Sequence, residues 1–276
     1  MRARRIRQIN VLELDQAMFQ STYKIGLEMA NWLNASLHIC MLESSERTEF
    51  INSVYGNEEN KSHFINRKQV EDIINHVKVK DELNVFGYSI DHFDENDPVK
   101  KIFEEISIDE SFSILGYNKS SKHKLVLKNI LDSDLGNPLM LVPMGKEIHG
   151  FHKIVVPFNP QYVTKKKLTS LKWYADQLGV MIDFVHFNQE KEANEMIKIN
   201  KICEVMFSWI EDLGFSSKIN FRFLNADNLN IGLQDYLKTQ NNYFLCIIDN
   251  DTKRSISTNK INKECLTDIK EVVVIL

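Results

Sequence analysis

Apolar positions along this chain form short continuous runs that alternate with stretches of helical periodicity. The run Asn10–Asp15 predicts a first strand, and Ile154–Asn159 predicts a strand of the same kind much later in the chain. After each run, apolar residues recur at spacings of three and four, which predicts an amphipathic helix with one buried stripe. The stripe residues are Tyr23, Leu27, Ala30 and Leu33 in the first helix and Leu168, Leu171, Ala175 and Leu178 in the second. The two halves therefore begin with the same pattern.

Further strands and helices follow in the same order in both halves. In the first half the remaining predicted strands are Ser36–Leu42, Leu83–Ile90, Phe112–Gly116 and Pro138–Pro143. In the second half they are Met181–Phe187, Lys218–Leu224, Leu245–Asp249 and Val272–Leu276. Strands that alternate with helices form parallel sheets covered by helices on both faces. We therefore expect an α/β fold of two tandem doubly wound domains, each with a five-stranded parallel sheet.

An acidic run precedes one of the predicted helices. Asp97 and Pro98 predict the start of this helix, with Asp97 as its cap and Pro98 at the first helical position. The run Asp91–Asp97 lacks the glycine and the final glutamate of a calcium-binding loop. We interpret it as a solvated turn that caps the helix.

The length of the chain also favours two domains. Its 276 residues exceed what one domain usually contains, since domains cluster near ~100–150 residues. The stretch Met144–His152 contains two glycines with polar neighbours and has the composition of a short linker. We place the boundary near Glu147, which gives domains of residues 1–147 and 148–276.

Composition narrows the classes of partner and location. Apolar residues make up 43% and charged residues 26% of the chain, with a formal net charge of -4, as in an ordinary soluble globular protein. This mixed charge does not favour nucleic acid as a partner. No apolar core of a signal peptide follows the basic start, and no apolar run is long enough to span a membrane. We expect a cytoplasmic protein.

The side chains that could carry chemistry are scattered. The four cysteines are widely separated, which favours reduced core residues over a zinc or redox site; they are Cys40, Cys203, Cys246 and Cys265. His149 and His152 are close together but lack carboxylate or thiol neighbours for a metal site. His38 and His186 fall on predicted strands, where we expect structural roles. Hydrolase, P-loop and metal-helix motifs are absent from the sequence, so we expect neither an enzyme nor a metal protein.

The order of several short motifs resembles the universal stress protein family, over essentially the whole chain taken twice. The motifs are Leu12–Asp15, Val185–Phe187, Asn96–Pro98, Ser113–Gly116 and the closing strand Pro138–Pro143. The resemblance implies a tandem, two-domain member of that family. It also implies that Asp15 and Asn159 occupy the position of an aspartate that contacts the nucleoside part of ATP in the family.

The phosphate-binding glycine loop of that family is eroded in both halves. ATP-binding members carry G-x2-G-x9-G-[ST], because backbone amides approach phosphates most closely where no Cβ intervenes. In the first half Gly116 keeps the first glycine position, while Lys119 and Asn129 take the places of the others. In the second half Asp249 stands at the first glycine position, where its charge would repel phosphate. Ordinary ATP binding is therefore not expected.

A ligand site in the first domain stays open as an alternative. Ligands of open α/β sheets lie beyond the carboxyl ends of the strands, and the resemblance points to a nucleotide site there. The candidate residues are Asp15, Leu42, Gly116, Lys119 and Asn129. A lysine cluster in the loop could attract an anion, or it could be a solvated start of a helix; its members are Lys119, Lys122, Lys124 and Lys128.

The resemblance leads to two main functional hypotheses. The first is a non-catalytic universal stress protein that acts in a stress response through partner or regulatory interactions and has no resident cofactor. In it the closing strands Leu139–Val142 and Val272–Ile275 pair across the halves as in family dimers, which makes the chain a pseudo-dimer that could also form a homodimer. The alternative is a sensor that binds ATP, AMP or another small anion in the first domain. A hydrolase or transferase with an unfamiliar site is a third, weaker hypothesis.

Overall fold

A computed structural model describes residues 6–13, 16–42, 88–93, 110–117, 137–146, 150–159, 163–188, 193–247 and 272–275 of the chain. The chain divides into two compact units, Met1–Glu147 (unit 1) and Ile148–Leu276 (unit 2). Each unit is described by itself. In the described part of the chain, no helix is both long and apolar enough to cross a membrane.

Unit 1 is built on a parallel sheet. Its elements are β1 (Gln8–Glu13), α1 (Gln16–Leu33), β2 (Ser36–Leu42), β3 (Tyr88–Phe93), β4 (Ser111–Tyr117) and β5 (Leu139–Pro143). The strand order is β3-β2-β1-β4-β5, and each neighbouring pair is parallel. Every residue of β4 is buried, as expected for a central strand of a parallel sheet that is covered on both faces.

Unit 2 repeats this strand order. Its elements are β6 (Lys153–Pro157), α2 (Lys165–Leu178), β7 (Met181–Asn188), α3 (Ala193–Leu213), β8 (Ile219–Asn225), α4 (Leu229–Lys238), β9 (Tyr243–Ile247) and β10 (Val273–Ile275). The order is β10-β9-β6-β7-β8, again with parallel neighbours. The predicted α/β fold with a parallel sheet is therefore confirmed.

The first helix of each unit ends with the same backbone geometry. Gly179 follows α2 in the left-handed conformation, with φ of 62°, and Asn34 follows α1 with φ of 55°. The next amide then bonds back into the helix, from Ala35 N to Ala30 O at 2.8 Å in unit 1. In unit 2 the corresponding bond joins Val180 N to Ala175 O at 3.2 Å. These bonds turn the chain sharply into β2 and β7.

Three predicted strands lie elsewhere than expected. β1 is Gln8–Glu13 and begins two residues before its predicted start at Asn10. β3 is Tyr88–Phe93 instead of Leu83–Ile90, so Asp91 lies in the strand, opposite Cys40. The interpretation of the acidic run as a turn is therefore wrong for residues 91–93. An outer strand tolerates polar residues, so hydropathy ended the predicted strand too early. β9 is Tyr243–Ile247, two residues before its prediction. The predicted helix start at Asp97 and Pro98 lies outside the described residues.

The buried stripes of α1 and α2 are close to prediction. All four predicted stripe residues of α1 are buried. In α2, Leu168, Leu171 and Ala175 are buried, while Leu178 at the end of the helix is half-buried. The helical spacing of apolar residues therefore identified the packed faces correctly.

Gly26 is the point at which α1 lies closest to the sheet. A Cβ at this position would overlap Cγ2 of Val11 and lie 3.3 Å from Cδ1 of Leu37. Both neighbours are buried strand residues. The helix therefore needs glycine here for space, although glycine weakens a helix by about 1 kcal/mol relative to alanine.

Replacing Gly26 by alanine is expected to lower the free energy of unfolding by up to about 2 kcal/mol. Overpacking of a core costs about 1–3 kcal/mol, and the gain of about 1 kcal/mol in helix propensity offsets part of it. Urea unfolding of G26A measures the change. The control is N31A at an exposed position of the same helix, and a higher stability of G26A than of the native chain would contradict the close packing.

Candidate functional site

The predicted ligand edge of unit 1 is described only in part. β1 lies between β2 and β4, with Leu12 opposite both Cys40 and Leu115. The ends of these parallel strands therefore meet at one edge of the sheet. Leu42 ends β2, and Gly116 is a buried residue near the end of β4, opposite Val142. The structure thus brings Leu42 and Gly116 to the same edge, as predicted from the fold.

The remaining candidate residues of that site cannot be placed. Asp15, Lys119 and Asn129 lie outside the described residues, as do the other three lysines of the cluster. Asp249, the predicted replacement of the first glycine in the second half, also lies outside them. These residues stay predictions.

A row of buried polar side chains crosses the sheet of unit 1 near its amino edge. Asn10 lies opposite His38 on one side and Ser113 on the other, and all three residues are buried. The side-chain oxygen of Asn10 accepts a hydrogen bond of 2.7 Å from Gln8. Its amide group donates to Ser113 Oγ over 3.5 Å. Polar residues alternate with apolar ones in the sequences of β1, β2 and β4, and this alternation could have predicted the row of Asn10, His38 and Ser113.

Unit 2 carries a charged network at the corresponding edge, around Asp183 of β7. The Asp183 carboxylate has no solvent-exposed surface, and its Oδ2 lies 2.9 Å from Nζ of Lys153, the first residue of β6. Asn220 of β8 donates to Oδ1 over 2.7 Å, and the Tyr236 hydroxyl of α4 donates to Oδ2 over 3.0 Å. Lys153 also donates to Gln240 over 2.9 Å. The network therefore joins three strands to one helix.

These contacts shift the ionisation of the network. Burial alone would raise the pKa of Asp183, but hydrogen bonds from Lys153, Asn220 and Tyr236, with the charge of Lys153, hold the pKa below its usual value. Burial and the neighbouring Asp183 carboxylate raise the pKa of Tyr236 to about 12. At neutral pH the network therefore holds an ionised carboxylate and a protonated phenol.

An aromatic cluster lies on one face of the sheet of unit 2 and extends towards the opposite, carboxyl ends of β6, β7 and β8. Its members are Phe158, which follows β6, together with Phe184 and His186 of β7 and Phe221 and Phe223 of β8. The rings of Phe184 and Phe221 stack at 5.1 Å with an interplanar angle of 10°. Phe158 meets Phe184 edge-on at 5.5 Å, and Phe207 of α3 meets Phe221 at 4.5 Å. The cluster thus lies on the α3 side of the sheet.

His186 is the polar member of this cluster, and the residue is buried, with 8% exposure. Its Nδ1 lies 3.1 Å from the carbonyl oxygen of Phe158, so Nδ1–H donates to it. Burial lowers the pKa of His186 below 6.5, and the bond to Phe158 opposes the shift only in part. Within the described residues Nε2 has no hydrogen-bond partner. The ring is therefore held neutral.

The described cysteines behave as core residues. Cys203 and Cys246 are buried free thiols, as predicted, and burial raises the pKa of both. Neither thiol is therefore ionised at neutral pH. The side chains of Cys40 and Cys265 lie outside the described set. Among the residues whose side chains are described, no group of His, Cys, Asp or Glu is arranged to hold a metal ion. His152 is exposed.

Matching backbone bonds align the first strands of the two units. Arg7 N donates to Glu110 O at 2.8 Å, and His152 N donates to Asn242 O at 2.9 Å. These bonds align Gln8 with Lys153 as the first residues of β1 and β6. Because Asp15 lies outside the described residues, its equivalence to Asn159 stays a prediction.

Comparisons with known proteins show the fold. No protein-family model matches the sequence, and a comparison with curated proteins finds no match. A functionally unknown protein of Pseudomonas aeruginosa PAO1 has a similar structure, with a TM-score of 0.58 at 13% identity over 98% of this chain and 92% of that one. A universal stress protein of Archaeoglobus fulgidus DSM 4304 gives 0.56 at 12% identity over 96% and 95%. This chain has a fold like that of universal stress proteins.

A third solved structure agrees with this fold assignment. It is from P. aeruginosa UCBPP-PA14, was assigned to the universal stress proteins, and gives a TM-score of 0.55 at 13% identity over 98% of this chain and 93% of that one. At such low identity the likeness concerns the fold alone. The universal-stress-like fold therefore identifies where ligands would lie, beyond the carboxyl edge of the strands.

Proposed function

We propose that this chain is a tandem universal stress protein that acts in a stress response through contacts with partner molecules and without catalysis. The observation that carries the proposal is the position of Phe158 at the carboxyl edge of unit 2. Phe158 is only 6% exposed, and it follows the carboxyl end of β6, where a ligand of this fold would lie.

The backbone holds Phe158 in this position. Phe158 N donates to Val185 O at 3.0 Å, which keeps the chain alongside β7 beyond the end of β6. The ring then contacts Phe184, His186 and Phe223 at centroid distances of 5.5, 5.7 and 6.4 Å. A sugar or phosphate arriving here would meet packed aromatic rings where it needs polar donors. This supports a role of unit 2 in contacts with partner molecules and not in nucleotide binding.

The ionisable groups of unit 2 also favour a non-catalytic reading. A general acid or base works best with a pKa near the operating pH and with access to the substrate. The pKa of Tyr236 is raised to about 12, the Asp183 carboxylate is used by its three donors, and the neutral ring of His186 is buried. Each of these side chains is therefore engaged either in core packing or in the hydrogen-bond network around Asp183.

The alternative, a sensor of an adenine nucleotide or another small anion in unit 1, has one supporting observation. Leu42 and Gly116 lie at the same carboxyl edge on either side of β1. Gly116 presents no Cβ to an approaching ligand. The lysine cluster that follows it in sequence would supply positive charge.

Calorimetric titration with ATP, ADP and AMP in the presence of magnesium distinguishes the two functions. We expect no heat of binding at millimolar nucleotide, because the glycine loop is reduced to Gly116 and β6 of unit 2 is followed by Phe158, which packs against other rings. Micromolar binding that is lost in D15A and kept in D227A, a control at an exposed acid of unit 2, would instead establish the sensor. Phosphate release that D15A abolishes would revive an enzymatic function.

A further inference from the structure

We propose that the outer edge of β8 binds an extended segment of a partner protein in which acidic and apolar residues alternate. The inference rests on the proposed partner-binding function and names the surface and the chemistry of the partner. Among the strands that the structure describes, β8 ends the order β10-β9-β6-β7-β8 and pairs with β7 on one side. β8 is 7 residues long. No described strand pairs with its other side, which is therefore an edge of the sheet.

The hydrogen bonds to β7 show which backbone groups of β8 point outward. Ile182 N donates to Lys218 O at 2.8 Å, and Ala226 N donates to Asn188 O at 3.2 Å. In a parallel pair, residues of one parity bond to the neighbouring strand and residues of the other parity point away. The even-numbered residues of β8 therefore bond to β7. The outward residues are Ile219, Phe221, Phe223 and Asn225.

The outward amide and carbonyl groups fit one kind of occupant. No strand of the described residues pairs with these groups, which run the full length of β8, and another extended chain can continue the sheet there as an added strand. A helix or a compact surface cannot satisfy donors and acceptors that alternate at strand spacing. The occupant is therefore an extended segment.

The two faces beside this edge differ in chemistry. The ring of Phe223 is 51% exposed on the α3 side of the sheet, next to the aromatic cluster. On the α4 side are the exposed cations Lys218 and Arg222, and Arg222 hydrogen bonds with Tyr236 of α4. An added strand would thus place alternate residues against an aromatic ring and against cations. Apolar residues fit the first side and acidic residues the second.

Charge also argues against a second copy of β8 as the occupant. No acidic residue occurs from Leu213 to Ala226 in the sequence. Two β8 strands paired along their edges would bring Lys218 and Arg222 of each copy near those of the other, and like charges across strands are destabilising. The cations of β8 therefore disfavour pairing with a second β8 strand and favour pairing with an acidic strand.

The test uses two blocked peptides of the same length as β8, one alternating glutamate with valine and the other alternating lysine with valine. Amide NMR spectra of the full chain are followed as each peptide is added. We expect the glutamate peptide to shift the amide signals of the outward residues. It should bind about tenfold more tightly than the lysine peptide, because Lys218 and Arg222 attract glutamate and repel lysine.

Two variants separate edge pairing from a general effect of charge. N225P removes an outward N–H at a position where an edge strand tolerates proline, and N225A keeps that N–H. We expect N225P to bind the glutamate peptide about fivefold more weakly than N225A, with the fold intact by circular dichroism. K218E is expected to reduce the preference for the glutamate peptide by about fivefold.

Several outcomes would overturn the proposal. They are equal binding of both peptides, shifts confined to residues away from β8, and equal binding by N225P and N225A. Shifts of the same amides with rising protein concentration and no peptide would identify a second copy as the occupant instead. A negative peptide result would contradict binding at the β8 edge but not the proposed function. The proposed function would be contradicted by a different result, which is nucleotide binding or turnover.

Discussion

Replacing Lys153 by methionine is expected to lower the free energy of unfolding by about 3–5 kcal/mol at neutral pH, the usual cost of leaving a buried charge without its partner. Lys153 is 18% exposed and Asp183 fully buried in their 2.9 Å ion pair. Methionine keeps most of the volume of the lysine stem, so lost packing contributes little. Asn220 and Tyr236 would still donate to Asp183, but they supply no charge.

The pH dependence of K153M gives a second readout. In the native chain the pKa of Asp183 is held below its usual value of 3.8. Its contribution to stability is therefore present above that value and lost as the pH falls through the folded pKa. In K153M burial dominates and should raise the pKa of Asp183, so the difference between variant and native chain should shrink on acidification.

Urea unfolding of K153M at neutral and acidic pH measures both effects. The control is K165M, which breaks the exposed pair of Lys165 and Asp212, at 49% and 58% exposure and the same separation of 2.9 Å. Such surface pairs contribute about 0–1 kcal/mol. If K153M lowered the free energy of unfolding no more than K165M does, the network around Asp183 would contribute little to the stability of the chain.

Replacing Phe158 by alanine is expected to lower the free energy of unfolding by about 3–5 kcal/mol, as is usual for a buried phenylalanine. The ring contacts Phe184, His186 and Phe221, and its removal leaves a cavity beside all of them. Water that enters the cavity can solvate His186, so the pKa of this histidine should rise back towards 6.5.

The same variant should change how stability depends on pH. Because the folded pKa of His186 is lowered from 6.5, its contribution to native stability is present above about that pH and is lost as the pH falls through the folded pKa. In F158A this loss should be smaller. Unfolding free energies measured from about pH 7.5 down to about pH 5, the range in which histidine changes its charge, test the effect.

The control for this prediction is F207A. Phe207 meets Phe221 of the same cluster at 4.5 Å, whereas the rings that contact His186 are those of Phe158 and Phe223. F207A should therefore leave the slope with pH nearly unchanged. A pH dependence in F158A equal to that of the native chain would show that Phe158 does not shield His186.

The parts of the fold that follow from local periodicity could be predicted. The strand Ser36–Leu42 was placed correctly, because a continuous apolar run of strand length is bounded by polar residues. The buried stripe of α1 was likewise correct, because helical spacing is a property of neighbouring residues. β3 was misplaced because the polar residues Asp91 and His92 lie within an outer strand.

The site features depend on which strands become neighbours, and the sequence does not state this directly. Asp183 stands inside an apolar run, and a buried acid in such a run requires a partner. That signal was available, but its partners Lys153 and Tyr236 come from distant parts of the chain. The aromatic cluster was missed for the same reason. Leu42 and Gly116 could be brought together because the carboxyl ends of parallel strands always share one edge.

The close contact of Gly26 with the sheet has a consequence for how this sequence can change over evolution. A methyl group gained at position 26 needs space that Cγ2 of Val11 now fills. Substitutions at positions 11 and 26 should therefore be inherited as compensating pairs, with alanine at 26 accompanied by a smaller residue at 11. Descendants that carry the first change alone would bear the cost of overpacking, so the two positions are expected to covary although helix α1 and strand β1 are separate elements.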